Sequence, residues 1–147
     1  MAVRDALENV LKTYMYKIAG INQMIVTSKK SGDVIAASAK FARKENIDNV
    51  AALSSMLYQL TQATDKSLDS SLFEFATGEK LFTIMGGEVI LSAVSDPSVQ
   101  IGISRMYLKK FTDSIDKVYK KAQDLVQDDN KDNELADIFR TLSQSKE

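Results

Sequence analysis

The chain has 147 residues, 27% of them charged and 44% hydrophobic, with a formal net charge of −1. That length fits one domain with a proper core, and the balanced charge gives a nucleic-acid polyanion no general footing. Cysteine and histidine are both absent, which excludes disulfides, thiolate nucleophiles, Cys/His metal sites and the usual general base.

Apolar residues at Val3, Leu7, Val10, Leu11, Tyr14 and Ile18 recur by threes and fours and predict a first helix, which Gly20 stops. Charges inside its first turns rule out the apolar region of a signal peptide. No stretch approaches the roughly 20 apolar residues that span a bilayer, so a cytoplasmic protein is expected. Residues 21–27 are β-rich, Ser28-Lys29-Lys30-Ser31-Gly32-Asp33 has turn chemistry, and residues 34–38 predict the second strand of a hairpin. A charged connection, 39–46, leads to a helix with Asn46 or Asp48 as its cap and its end near Leu68.

This middle helix carries no charged residue from Asn49 to Thr64. At helical period, Val50, Leu53, Ser54, Leu57, Thr61, Thr64 and Leu68 form the side expected on the core. Opposite them lie Ala52, Ser55, Met56, Gln59, Gln62 and Ala63, small and uncharged where a solvated helix shows Lys and Glu. Gln, Ser and Thr are comfortable in water, so a neutral surface helix is the bland reading. Small side chains that admit a second backbone, with no charge to desolvate, favour a helix covered on its outer side by another chain.

Three strands follow. Residues 72–77 and 80–85 flank a two-residue Gly78-Glu79 turn, and Gly86-Gly87 separates the latter from 89–95. Residues 81–85 and 89–94 are nearly continuous apolar runs, predicting interior strands with both faces covered. Residues 72–77 alternate more and carry Glu74, which suits an edge. After the Asp96-Pro97 break, Ser104, Leu108, Phe111, Ile115, Val118, Ala122 and Leu125 recur at 4-3 spacing and predict a long helix. Residues 127–133 read as a polar linker, and Leu135, Ile138, Phe139 and Leu142 line a short helix capped by Asn133. The expected domains are thus 1–126 and a 127–147 extension. A helix that short is marginal alone in water, so it docks on its own domain or on a partner.

The order α-β-β-α-β-β-β-α plus a C-terminal extension helix implies an α/β layered fold: a five-stranded antiparallel sheet with helices on both faces. Two helices share one face, and the middle helix covers the other alone and incompletely. A two-fold homodimer would cover that face and join two free edges strand to strand.

Motifs for chemistry fail one by one. Asp128, Asn130 and Asp132 mimic a calcium loop, but Asn133 and Phe139 stand where Gly and Glu are needed. Gly86-Gly87 lacks the Lys-Ser/Thr of a phosphate loop. Arg105, Lys109, Lys110, Lys117, Lys120 and Lys121 crowd the last long helix, where Asp113 and Asp116 pair with Lys117 and Lys120 on a solvated face. A Ser28–Lys29 or Ser28–Lys30 dyad would sit in a turn, where Lys keeps its solvated pKa and makes a poor base. No metal, cofactor or enzymatic activity is expected, and no polar-lined sensor cavity is advertised.

The element order, the Gly32-Asp33-Val34-Ile35 turn, and Asp96-Pro97 followed by Ile101-Gly102 and Arg105 resemble the roadblock/LC7 (dynein light chain roadblock) superfamily over residues 3 to about 125. The tail from Gln127 departs from its minimal pattern. The resemblance implies a non-enzymatic dimer with the sheet continued through the third strand and with paired middle helices. It also implies a regulator or scaffold of a small Ras-like GTPase that repositions the GTPase's own residues. The residues expected at the dimer and partner interface are Ala51, Ala52, Ser55, Tyr58, Gln59 and Gln62 with Phe73, Glu74 and Phe75. Partners are a second copy, or a paralogue in a heterodimer, and a small GTPase. The alternative is a trafficking or motor-complex adaptor on a roadblock-, longin- or profilin-like fold with no GTPase partner.

Overall fold

Nearly continuous buried runs on the interior strands, alternation on β-rich residues 70–74 and apolar stripes on the helices build a layered structure. A computed structural model describes residues 2–40 and 44–125. The chain runs α1 (Ala2–Lys17), β1 (Ile21–Ser28), β2 (Val34–Ala39), α2 (Lys44–Gln62), β3 (Ser70–Glu74), β4 (Lys80–Met85), β5 (Val89–Ser95) and α3 (Ile101–Leu125). The expected connection residues 41–43, and the linker and tail helix of the 127–147 extension, lie outside the described residues.

The five strands form one antiparallel sheet in the order β2-β1-β5-β4-β3. The apolar β4 and β5 are interior, as their runs require, and β3 lies at an edge. α1 packs on β1 and β2, and α3 on β5 and β4, while α2 lies on the opposite face over β1, β5 and β2. The main core fills the two-helix side with Leu7, Leu11, Leu108, Ile115, Met24, Phe82 and Leu91. There the Tyr14 and Phe111 rings stack, centroids 3.8 Å apart. Loss of solvent around Tyr14 pushes its phenol up to about 12.

The α2 side is more polar. Residues alternating with that core, Ile25, Leu81 and Ile90, are buried beside the equally buried Thr27, Thr83 and Ser92. The Ser54 and Ser92 hydroxyls meet at 2.6 Å between helix and sheet.

Three expectations are corrected. β3 begins at Ser70 and ends at Glu74, so the turn to β4 is longer than two residues. Phe75 N–H donates to the Glu79 carbonyl and Gly78 N–H to the Phe75 carbonyl, with Gly78 at φ +91° closing the turn. α2 begins at Lys44, which places Asn46 and Asp48 inside the helix rather than at its cap. It also ends at Gln62 and not near Leu68. Backbone bonds from Ala63 to Leu60 and from Thr64 to Thr61 tighten the final turn, and Asp65 turns to φ +61°.

Candidate protein interface

α2 approaches the sheet through small side chains. Among the described residues Ala51 and Ser54 are its fully buried ones, with Ile47, Tyr58 and Thr61 half-buried along the same stripe. The inward side is therefore rotated by about a residue from the one its hydrophobicity predicts. Leu53, assigned inward by that pattern, is 37% exposed because Ala51 and Ser54 occupy the closest approach.

The same rotation sorts the predicted interface residues. Ala52, Gln59 and Gln62 face solvent in the isolated chain, as do Met56 and Ala63. Ala51 does not: it is buried beneath the helix and offers a partner nothing. Ser55 is half-buried, its hydroxyl packed so close to Gly32 that a Cβ on that glycine would lie 2.8 Å away. Tyr58 is half-buried under Lys29, whose Nζ lies 5.1 Å from the ring centroid and donates to the Gly86 carbonyl at 2.7 Å. Ser55 and Tyr58 thus hold α2 to the β1–β2 and β4–β5 turns.

In their place stands an apolar ridge that pattern reading misses. Leu53, Met56 and Leu60 follow i, i+3, i+7 spacing, with Met56 59% and Leu60 69% exposed. The spacing is visible in the sequence, but the hydrophobicity pattern assigns Leu53 to the core. Beside the ridge the helix remains uncharged between Asp48 and Asp65, so a covering chain desolvates no ion here.

β3 pairs with β4, and its outer edge has no strand beside it among the described residues. Phe73 is half-buried, while Glu74 and Phe75 are exposed. The Glu74 carboxylate lies 3.9 Å from Lys80 Nζ, and Phe75 belongs to the turn rather than the strand. The predicted residues therefore fall into two groups, one on α2 and one at the sheet edge. Among the described residues no acidic cluster could hold a metal ion, and no helix is long and apolar enough to cross a membrane.

Solved structures superpose on this fold. The Roadblock/LC7 domain from Streptomyces avermitilis superposes with a TM-score of 0.59 at 16% identity, over 70% of this chain and 92% of that one. This is the roadblock/LC7 fold. The gliding protein MglB from Thermus thermophilus shares it with a TM-score of 0.68 at 16% identity, over 82% of this chain and 92% of that one. Profilin IB from Acanthamoeba castellanii superposes with a TM-score of 0.57 at 14% identity, covering 75% of this chain and 96% of that one. No protein-family model and no curated protein sequence matches the chain. At such identities the roadblock/LC7 likeness is one of fold.

Proposed function

We propose that this chain is a non-enzymatic homodimeric regulator or scaffold of a small Ras-like GTPase, acting in the cytoplasm. The observation that carries the reading is the Leu53–Met56–Leu60 ridge, set in an uncharged helix on a roadblock/LC7 fold. Exposed apolar side chains without neighbouring charge favour an interface between chains. Two copies pairing α2 with α2 would cover the ridges, and pairing β3 with β3 would complete the sheet. The joined helices would then offer Ala52, Gln59 and Gln62 as a broad neutral platform for a partner. Any effect on hydrolysis is attributed to repositioning the GTPase's own residues, a reading supported by the exposed α2 residues Ala52, Met56, Gln59, Leu60 and Gln62, none of which is an arginine. The alternative is an adaptor on the same fold, in which the dimer binds other proteins and no GTPase. The deciding experiment measures GTP hydrolysis and nucleotide release by a co-encoded small GTPase with and without the purified dimer. A change in either rate supports the regulator. Binding without a change supports the scaffold, and no binding in either nucleotide state favours the adaptor.

A further inference from the structure

On the two-helix face of the sheet, α1 and α3 serve four strands and neither lies along β3. α3 reaches only the start of that strand. There Arg105 donates to the Ser70 hydroxyl at 2.7 Å and Lys109 pairs with Asp69 at 2.6 Å. Beyond these ties the register turns Leu72 to the same face as Phe82 and Ile84. The result is a groove of about 110 Å³ between β3 and α3, floored by Phe82 and Ile84. Leu72, 43% exposed, and Ile101, 40% exposed, form its lips, with Arg105 at the rim. One more short helix would complete this layer.

The chain carries a segment of the right kind. Residues 134–142 have Leu135, Ile138, Phe139 and Leu142 on one side and Glu134 and Asp137 near the start. We propose that this segment forms a helix that docks in cis in the β3–α3 groove, its apolar side against Leu72 and Ile101 and its carboxylates toward the Arg105–Lys109 rim. Three observations choose this occupant over a foreign one. The first is length. From Leu125 back to the level of Arg105 is about 30 Å at ~1.5 Å per helical residue. Residues 126–133, extended at ~3.3 Å each, span about 26 Å, and the segment itself adds about 13 Å as a helix. A nearly extended linker therefore brings the start of the segment level with Lys109, about 24 Å back along α3, and the helix then runs past Arg105 toward Ile101. The second is charge: Glu134 and Asp137 at the start of the segment complement the exposed Arg105 guanidinium at the rim, beside the Lys109–Asp69 pair. The third is tethering. A helix this short is marginal alone, and attachment to the same chain gives it a millimolar effective concentration that a weak contact suffices to use.

The absence of cysteine makes the test clean. A nitroxide is placed on Gln144→Cys in the full-length, ¹⁵N-labelled chain, which is then diluted with excess unlabelled, diamagnetic chain. Docking in cis predicts that the amide signals of Leu72, Ile101 and Arg105 lose most of their intensity, and that adding Phe139→Asp restores it. Full intensity at those amides overturns the proposal, as does a loss that Phe139→Asp leaves unchanged. A loss seen only when a spin-labelled, unlabelled-nitrogen chain is mixed with ¹⁵N chain also overturns it, and assigns the groove to the tail of a second copy.

Discussion

Thr83 is fully buried in β4 on the α2 side of the sheet, and its hydroxyl has no hydrogen-bond partner among the described residues. A buried, unpaired hydroxyl keeps its desolvation penalty with nothing to offset it. Thr83→Val keeps the shape and removes that penalty, so urea denaturation should give a chain more stable by about 1 kcal/mol. A loss of stability would mean that the hydroxyl is bonded in solution. Tyr14 makes the opposite case, a polar group that helps only while neutral. Its phenol is pushed up to about 12 by burial against Phe111, whereas an unfolded tyrosine ionises near 10. The folded state therefore holds the proton more tightly, and this contribution is complete below about pH 10. It is lost as pH rises from about 10 to about 12. The stability of the parent chain should fall relative to Tyr14→Phe across that window, by about 3 kcal/mol in all. Parallel curves for the two proteins would contradict the assignment. Neither residue's role is legible in the sequence, because composition cannot say which hydroxyl finds a partner.

Elements are most legible where one period dominates. β4 and β5 match the expected strands 80–85 and 89–95 to the residue, and the α3 stripe from Ser104 to Ala122 is buried as its spacing demands. The middle helix is harder, because its closest approach to the sheet uses Ala51 and Ser54, and a hydrophobicity pattern ranks both below Leu53. β3 is misplaced by composition for a different reason. Phe75-Ala76-Thr77 has strand composition, yet its backbone closes the turn through Phe75 and Glu79. One tie between elements has no sequence signature at all. The Asp116 carboxylate on α3 accepts the Glu88 and Val89 N–H groups and so pins the β4–β5 turn to the helix. Replacing it by Ala leaves two backbone donors without their charged acceptor. Asp116→Ala should lower stability by about 2 kcal/mol and speed hydrogen exchange at Glu88 and Val89 before the rest of the sheet. Uniform exchange across the sheet would show that the tie holds nothing locally.

At the scale of the molecule, both faces of the sheet are one element short, and the two gaps differ in kind. The α1/α3 face lacks a cover over β3, which the chain's own tail can supply. The α2 face carries its apolar surface on the outside of the helix, where nothing in the described chain reaches it. That asymmetry is partly legible in the sequence: the uncharged stretch from Asn49 to Thr64 sets α2 apart from a solvated helix, but the ridge needs the rotation that only coordinates supply. The ridge makes the proposed dimer testable. Leu60 is 69% exposed in the isolated chain, so Leu60→Glu leaves the core untouched and the folded monomer as stable as before. In a two-fold dimer the same substitution buries two unpaired carboxylates, one from each copy, against apolar side chains. A penalty of about 3 kcal/mol or more weakens association by a factor on the order of 100 or more. Light scattering should then report the mass of one chain where the parent reports two. Lys120→Glu, on the exposed side of α3, also adds negative charge and should leave the dimer intact. If both variants keep the parent mass, α2 is not the surface on which the copies meet. If both lose it, net charge rather than the ridge governs assembly. Only the split outcome assigns the interface to Leu53, Met56 and Leu60.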